Sequence, residues 1–480
     1  RPVRRVDAPG SPHYLPASFP RHESVRCRGS VMRRARVQAI RLGLCGLGTV
    51  GGAVFDVLAR NGDEIARRAG RRLEVTVLGL RRERPELDPR GARIERDLLA
   101  LAAAEDIDVI VELVGGTTVA RELVLRAIAA GKHVVTANKA LVAEHGNEIF
   151  AAAEAHGVSV AFEAAVAGGI PLVKAIREGL AANRIGWLAG IVNGTSNFVL
   201  SEMRATGRDF EDVLAEAQRL GYAEADPTFD VDGTDAAHKL TILASIAFGV
   251  PLQFAAGYTE GIDVVTRTDI AYADELGYRI KPLAMTRATE RGIELRVHPT
   301  LVPKAQLLAN VDGVMNAVLV ASDAVGPTLY YGPGAGGEPT ASSVIADLVD
   351  VARALDAPAS QRVPPLAFHA QALSDLPVLP IGEITSAYYL RILALDAPGV
   401  LARIATLLAD EGISMEAVIQ KESEIRELGG DAWVPIIILT QRVKEARLEA
   451  ALHAIEALAD VRSPVTRLRV ESLDPADATA

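Results

Sequence analysis

Cysteine is nearly absent from this 480-residue chain: Cys27 and Cys45 are the only two. One bridge at most could form, which excludes a disulfide framework and makes a reducing, cytoplasmic setting the expectation. Lysine is scarce too, with eight lysines against 43 arginines. The surplus of arginine and alanine reads as coding composition, but it makes each lysine worth placing. No apolar run reaches the roughly 18–20 residues that a bilayer-spanning helix needs, so no membrane partner is expected. An excess of positive charge is also missing: the net charge is −10, which argues against a nucleic-acid binder with a basic body. What is present is apolar residues in short runs broken by glycine and charge, as in a soluble α/β protein. The length suits about three domains.

Residues 1–36 carry nine arginines against Asp7 and Glu23, with frequent proline and serine and no periodicity. Such a stretch cannot bury a core and is expected to be disordered. It reads either as an Arg-rich targeting peptide or as sequence upstream of a true start at Met32, and it is left out of the fold.

From residue 37 to 170, short apolar strands (39–45, 73–80, 107–113, 133–136, 158–162) alternate with helices (50–60, 118–130, 141–156). This alternation predicts a Rossmann-type, doubly wound parallel sheet that binds NAD(P). Residues 171–337 change character. They read as a mixed α+β domain for substrate binding and dimerisation, with a hairpin around Arg291-Gly292 and a helix over about 234–248. A helix over 338–356 is expected to return to the nucleotide domain. A proline-rich linker, 357–383, precedes a last unit, 384–473, whose β-α-β-β-α-β order is ferredoxin-like.

Gly46-Leu47-Gly48-Thr49-Val50-Gly51 lies between the first strand and the first helix. Glycines there let backbone approach a pyrophosphate, and the helix N-terminus offers free N–H groups to the anion. The acidic residue that usually grips the ribose of NAD after the second strand is missing. Arg81-Arg82-Glu83-Arg84 stands there instead. Arginine can pair with a 2′-phosphate, which favours NADP(H) and leaves NAD(H) open, although a solvated arginine loop would look the same.

Thr136-Ala137-Asn138-Lys139 ends the fourth strand, at the sheet edge where ligands bind in such folds. Asp235 and Lys239 are four apart on the predicted helix and share a face. Taken alone they would be a surface salt bridge. The apolar run from Leu240 to Ala244 argues for a buried helix instead, and the preceding loop carries Glu224, Asp226, Asp230 and Asp232. Acidic groups beside a partly buried lysine suit a substrate ammonium and a general acid/base. A divalent cation in that loop is the alternative, though the spacing fits no EF-hand. Asn193-Gly194-Thr195-Ser196-Asn197 is a polar strand-to-helix turn suited to ligand contact.

Together these motifs resemble the homoserine dehydrogenase family with a C-terminal ACT domain. The resemblance covers residues 40–470. It rests on the turns above, on Glu163-Ala164-Ala165-Val166-Ala167-Gly168-Gly169-Ile170-Pro171, on Gly221-Tyr222-Ala223-Glu224-Ala225-Asp226-Pro227, and on Tyr331-Gly332-Pro333-Gly334-Ala335-Gly336. It implies that Gly46, Leu47, Gly48, Thr49, Val50, Gly51 and Lys139 line the NADP site, with Gly221 and Gly336 close by and Arg81 at the phosphate. It implies that Glu224, Asp235, Thr195 and Lys239 hold L-homoserine. Lys239 would be the proton donor and acceptor, with Lys139 polarising the same oxygen. It further implies a monovalent cation, Na+ or K+, at Glu163, Val166, Gly168 and Ile170, held mostly by backbone carbonyls. Asp396-Ala397-Pro398-Gly399-Val400-Leu401 resembles the ACT strand-to-helix turn, which implies L-threonine as effector and a homodimer or homotetramer. The implied reaction interconverts L-homoserine and L-aspartate 4-semialdehyde by hydride transfer at nicotinamide C4.

Two rivals remain. A phosphorylating semialdehyde dehydrogenase needs a mid-chain cysteine nucleophile, which is lacking. A non-catalytic NADP and amino-acid sensor would be expected to carry a damaged acid/base pair, whereas Asp235 and Lys239 are both present.

Overall fold

The computed structural model describes residues 38–421, 426–428 and 431–474. The arginine-rich stretch 1–36 lies outside them. Strands β1 (Ile40–Cys45), β2 (Leu73–Gly79), β3 (Arg93–Glu95), β4 (Val109–Glu112), β5 (His133–Thr136) and β6 (Val160–Ala161) form one parallel sheet in the order β3-β2-β1-β4-β5-β6. Strand order reverses between β1 and β4, which opens a crevice at the carboxyl ends of those strands. Helices α1 (Thr49–Ala69), α2 (Leu98–Ala102), α3 (Thr118–Ala129) and α4 (Lys139–His156) cover the sheet. Helix α1 runs nine residues beyond the expected Arg60. Ile65 and Ala69 continue its buried face past Gly62, and Gly70 closes it at φ +82°.

The chain then leaves this sheet through a short helix, α5 (Leu172–Lys174). It builds β7 (Ile185–Ile191), α6 (Gly194–Thr206), α7 (Phe210–Arg219), α8 (Thr228–Val231), α9 (Thr234–Phe248), β8 (Tyr258–Thr259), α10 (Arg267–Glu275), the hairpin β9 (Tyr278–Thr289) and β10 (Gly292–Pro303), β11 (Met315–Ser322) and β12 (Gly326–Pro333). Helix α11 (Gly337–Ala354) packs on α1, sharing a core of Val54, Leu58, Val344 and Leu348. Each such buried aliphatic side chain contributes about 1.5–3 kcal/mol.

The last unit contains β13 (Thr385–Leu395), α12 (Val400–Asp410), β14 (Met415–Gln420), β15 (Arg426–Leu428), β16 (Asp431–Thr440), β17 (Val443–Lys444), α13 (Glu445–Glu456) and β18 (Val461–Val470). Its sheet is not separate. Parallel pairing of Thr300 with Arg469 and Leu301 with Val470 fuses β18 to β10, giving one sheet in the order β12-β11-β7-β9-β10-β18-β13-β16-β14. The proline-rich segment before it also docks: Ile293 N–H donates to the Pro377 carbonyl and Leu379 N–H to that of Ile293.

Among the described residues no helix is long and apolar enough to cross a membrane. Helix α9 is buried on every side from Asp235 to Ala247, so any charge it carries enters the interior and must be paired there.

Candidate active site

The glycine turn shows three different needs. Gly46 sits at φ +95°, and a Cβ there would meet the Leu113 carbonyl oxygen at 2.6 Å. A Cβ on Gly51 would collide with the Gly46 carbonyl, so this glycine lets α1 close onto β1. Gly48 has open space where its Cβ would be, and no side chain caps α1 there. Exposed Gly48 and Thr49 therefore leave the first-turn N–H groups of a 21-residue helix facing the crevice, which fits the pyrophosphate of a dinucleotide. Leu47 is buried and Val50 half-buried beneath them. Gly337 of α11 lies over the same helix start, its Cβ position 3.2 Å from the Thr49 carbonyl, and Gly336 before it is at φ +129°. Arg81 is exposed just past β2, at the end where a ribose would lie.

Across the crevice stands a buried charge cluster. Lys239 Nζ donates to Asp235 Oδ2 at 2.6 Å and to the Val192 carbonyl at 2.7 Å. Lys139 Nζ, at the start of α4, lies 3.0 Å from Asp235 Oδ1, with the Phe229 ring 5.3 Å away. Asn193 Nδ2 donates to Asp235 Oδ2 (2.8 Å) and to Asp230 Oδ1 (2.7 Å). Burial opposes the charge on Asp235, but the two lysine ammonium groups outweigh it and hold this carboxyl well below its usual range. Asp230 goes the other way: burial pushes its carboxyl up against the Asn193 amide bond, and the Asp235 charge adds to the rise. An ammonium has three protons to donate. Lys139 remains one-third exposed, so the cluster is open to solvent on its side. Lys239 spends two of its three protons and keeps one.

The other predicted residues are placed less uniformly. Thr195 Oγ1 donates to the Tyr222 carbonyl at 2.7 Å, tying the start of α6 to the acidic loop. Gly221 turns that loop at φ +76°. Glu224 is exposed, and the structure does not bring its carboxylate to the lysine cluster.

Around the 163–170 loop, both Glu163 carboxylate oxygens accept backbone N–H groups, from Val173 (2.9 Å) and Lys174 (2.8 Å). Ala167 is turned to φ +51°. The Gly168 carbonyl accepts from Ser343 Oγ at 2.6 Å, and that of Ile170 from Leu172 N–H at 2.7 Å. Among the described residues no group of three or more His, Cys, Asp or Glu is arranged to hold a metal. The loop's spare carbonyl lone pairs are its oxygen donors. Cys45 is buried in β1, and burial pushes its thiol far up, so it is no nucleophile.

Two residues carry more of the site than the sequence reading gave them. Glu112, fully buried at the end of β4, accepts from Val114 N–H (2.8 Å) and from Thr136 Oγ1 (2.6 Å). It thereby locks the loops after β4 and β5 together. Its signal was an acid ending an apolar strand before Gly115-Gly116. Asn193 caps α6 through Ser196 N–H at 2.8 Å while it bridges two acids. The polar turn was visible in sequence, but not that it faces inward.

Comparison with known proteins places these features in context. Residues 46–163 match the profile described as homoserine dehydrogenase, NAD binding domain. Residues 171–349 match homoserine dehydrogenase, and residues 388–460 match the ACT domain. The chain is 63% identical to a homoserine dehydrogenase of Pseudomonas aeruginosa, over 91% of this chain and 100% of that protein. It is 55% identical to one of Neisseria gonorrhoeae at the same coverage. A crystal structure of a homoserine dehydrogenase from Thiobacillus denitrificans superposes with a TM-score of 0.86 at 58% identity, covering 91% of this chain and 99% of that one. A hyperthermophilic archaeal homoserine dehydrogenase in complex with NADPH aligns at 25% identity and a TM-score of 0.55, over 65% and 97% of the two chains.

Proposed function

The chain belongs to the homoserine dehydrogenase family, and from that premise we propose how its own side chains carry the interconversion of L-homoserine and L-aspartate 4-semialdehyde. The observation that carries the proposal is the third, unspent proton of Lys239. In the reductive direction Lys239 Nζ gives that proton to the oxygen of the forming alkoxide. In the oxidative direction it takes the hydroxyl proton back. Asp235 holds both lysines in place, and Lys139 brings a second ammonium beside the reacting oxygen. The dinucleotide, when bound, supplies or accepts the hydride.

NADP(H) is our choice of cofactor. It would be held by residues 46–51, Lys139 and Gly336, with Gly221 near and Arg81 at the 2′-phosphate. The exposed Arg81 and the NADPH-bound archaeal relative support it. Asp235, Thr195 and Glu224 would hold homoserine, Glu224 through the amino group. The carbonyls of Glu163, Val166, Gly168 and Ile170 suit a monovalent cation such as Na+ or K+, a hard ion served by neutral oxygens. We assign L-threonine regulation to the ACT domain and expect a homodimer or homotetramer.

The test is Lys239→Ala, assayed by homoserine-dependent absorbance at 340 nm. A fall in kcat of about 10²–10⁴-fold, the range for loss of a general acid/base, with an unchanged NADP+ dissociation constant supports the assignment. Turnover at the wild-type rate removes Lys239 from it.

A further inference from the structure

We propose that Glu260 is a positioning residue for the Asp235–Lys239 pair, and that it makes the geometry of this pair depend on how the C-terminal unit is seated. The inference rests on the acid/base reading of that pair.

Glu260 stands at the fused seam between the catalytic body and the last unit. Its N–H donates to the Val297 carbonyl of β10 at 2.8 Å. Its Oε2 accepts from Tyr258 Oη at 2.9 Å and from Arg469 Nη1 of β18 at 2.9 Å. Arg469 is buried, and its other edge grips Glu445 of α13, with Nε donating to Oε2 at 2.9 Å. Arg467 approaches Glu260 at 3.6 Å and Glu445 at 3.1 Å. One arginine of the last unit is thus shared between an acid of that unit and an acid of the catalytic body. Drawing it away would strip a buried guanidinium of its Glu260 bond and leave Glu445 as its remaining acid, a loss that proteins resist.

The next two residues carry any displacement onward through backbone, where there is no rotamer slack. Ile262 N–H donates to the Val231 carbonyl at 3.0 Å. A Cβ on Gly261 would sit 2.8 Å from that same oxygen and 3.1 Å from Asp232 Cα. A Cβ on Gly233, itself at φ +87°, would lie 3.4 Å from the Glu260 carbonyl oxygen. Residues 231–233 are the connector between Asp230, bonded to Asn193, and the first turn of α9. The N-cap of α9, Gly233, has no side chain to cap it, and Asp232 Oδ1 in the connector accepts the first-turn Thr234 N–H at 2.8 Å. The same turn hangs on the Gly233 carbonyl, which accepts Ala237 N–H at 2.9 Å. Asp235 is in that turn and Lys239 one turn further. Moving Glu260 therefore moves the helix start that aims both groups.

The test uses the full-length enzyme and three variants. Glu260→Gln keeps the shape and removes the catalytic-body charge from Arg469, leaving it on Glu445 alone. Gly261→Ala pushes the 231–233 connector directly. Glu260→Gln/Arg469→Lys asks whether the two residues act as one. We expect both single variants to lose about tenfold in kcat, since small misplacements of reacting groups cost one to two powers of ten. The NADP+ dissociation constant should stay at the wild-type value, and the loss in kcat should persist at temperatures well below any lowered unfolding midpoint, which a merely structural role would not produce. The double variant should be no slower than Glu260→Gln. Wild-type kcat in Glu260→Gln, losses that add in the double variant, or a loss that tracks a fallen midpoint each overturn the proposal. If Lys239→Ala itself turns over normally, the acid/base reading has failed instead.

Discussion

Lys239 and Lys281 are both buried lysines on core-facing elements, and they differ by one proton. Lys281, 1% exposed on β9, donates to the Val311 carbonyl (2.6 Å), to Asp312 Oδ1 (2.8 Å) and to Asn197 Oδ1 (3.4 Å). Its three donors meet three acceptors, all within the protein. Lys239, 9% exposed, has two acceptors. The first arrangement can only hold a fold together, by fixing the 311–312 segment against α6. The second leaves a donor for an oxygen that is not part of the chain. Burial and charge pairing alone do not distinguish a structural lysine from a reacting one, and neither does a spare proton by itself, since buried Lys132 donates only to the Ala104 and Ile107 carbonyls; at Lys239 the spare proton stands in a charge cluster that includes the part-exposed Lys139.

The sharpest way to break this comparison is to make the same substitution at both places. Lys239→Met should reduce kcat by about three powers of ten, and it should also lower stability by about 1–3 kcal/mol, because the buried Val192 carbonyl and Asp235 lose a donor. Lys281→Met should leave kcat within about twofold in the folded fraction, since it touches nothing that reacts. It should lower stability by about 1–3 kcal/mol, because the Val311 carbonyl and the Asn197 oxygen lose a buried donor. Equal kinetic losses from both variants would erase the distinction.

Next in size is Asp235→Asn, which takes the anion from between two ammonium groups. We expect kcat/KM to fall about 10²-fold, within the range for removing one polar group from a reacting cluster.

A smaller effect sharpens the Lys281 side. Burial lowers its pKa from 10.5 to about 8, against the pull of Asp312. Between those values the unfolded chain holds a proton that the native one lacks, so the lysine's burial penalty is full below pH 8 and is relieved as pH rises toward 10.5. Urea unfolding from pH 8 to 10 should show a stabilising slope in the wild type relative to Lys281→Met. A slope of the opposite sign contradicts the assignment. The smallest change is expected from Arg81→Ala, an exposed side chain. It should cost about tenfold in NADPH over NADH preference, read from the two dissociation constants by fluorescence titration.

Much of this was legible in the residues. The glycine turn, the strand–helix alternation and the ferredoxin-like order of the last unit are local patterns, and the parallel sheet follows from them. The face shared by Asp235 and Lys239 follows from helical spacing, and the buried character of α9 from the apolar run after Lys239. Three features have no local signal. The extension of α1 past Gly62 depends on Ile65 and Ala69 meeting α11, which comes nearly 270 residues later. The fusion of β10 with β18 rests on two residue pairs between segments that each read as complete. Whether Lys239 or Lys281 keeps a free proton depends on acceptors from elsewhere in the chain, Val192 in one case and Asn197 and Val311 in the other. The three-residue β3 (Arg93-Ile94-Glu95) and the five-residue α2 (Leu98-Leu99-Ala100-Leu101-Ala102) went unread because both are too short for a period to show.

The most direct test of the central claim is chemical rescue of Lys239→Ala by small primary amines. If the third proton of Lys239 is the one that moves, methylamine and ethylamine should restore homoserine oxidation in proportion to their concentration, with the rescued rate following amine basicity. Arg81→Ala should show no such response. Rescue that is equal for amines and for simple sodium salts, or hydride transfer in Lys239→Ala as fast as in the wild type without any amine, would contradict it.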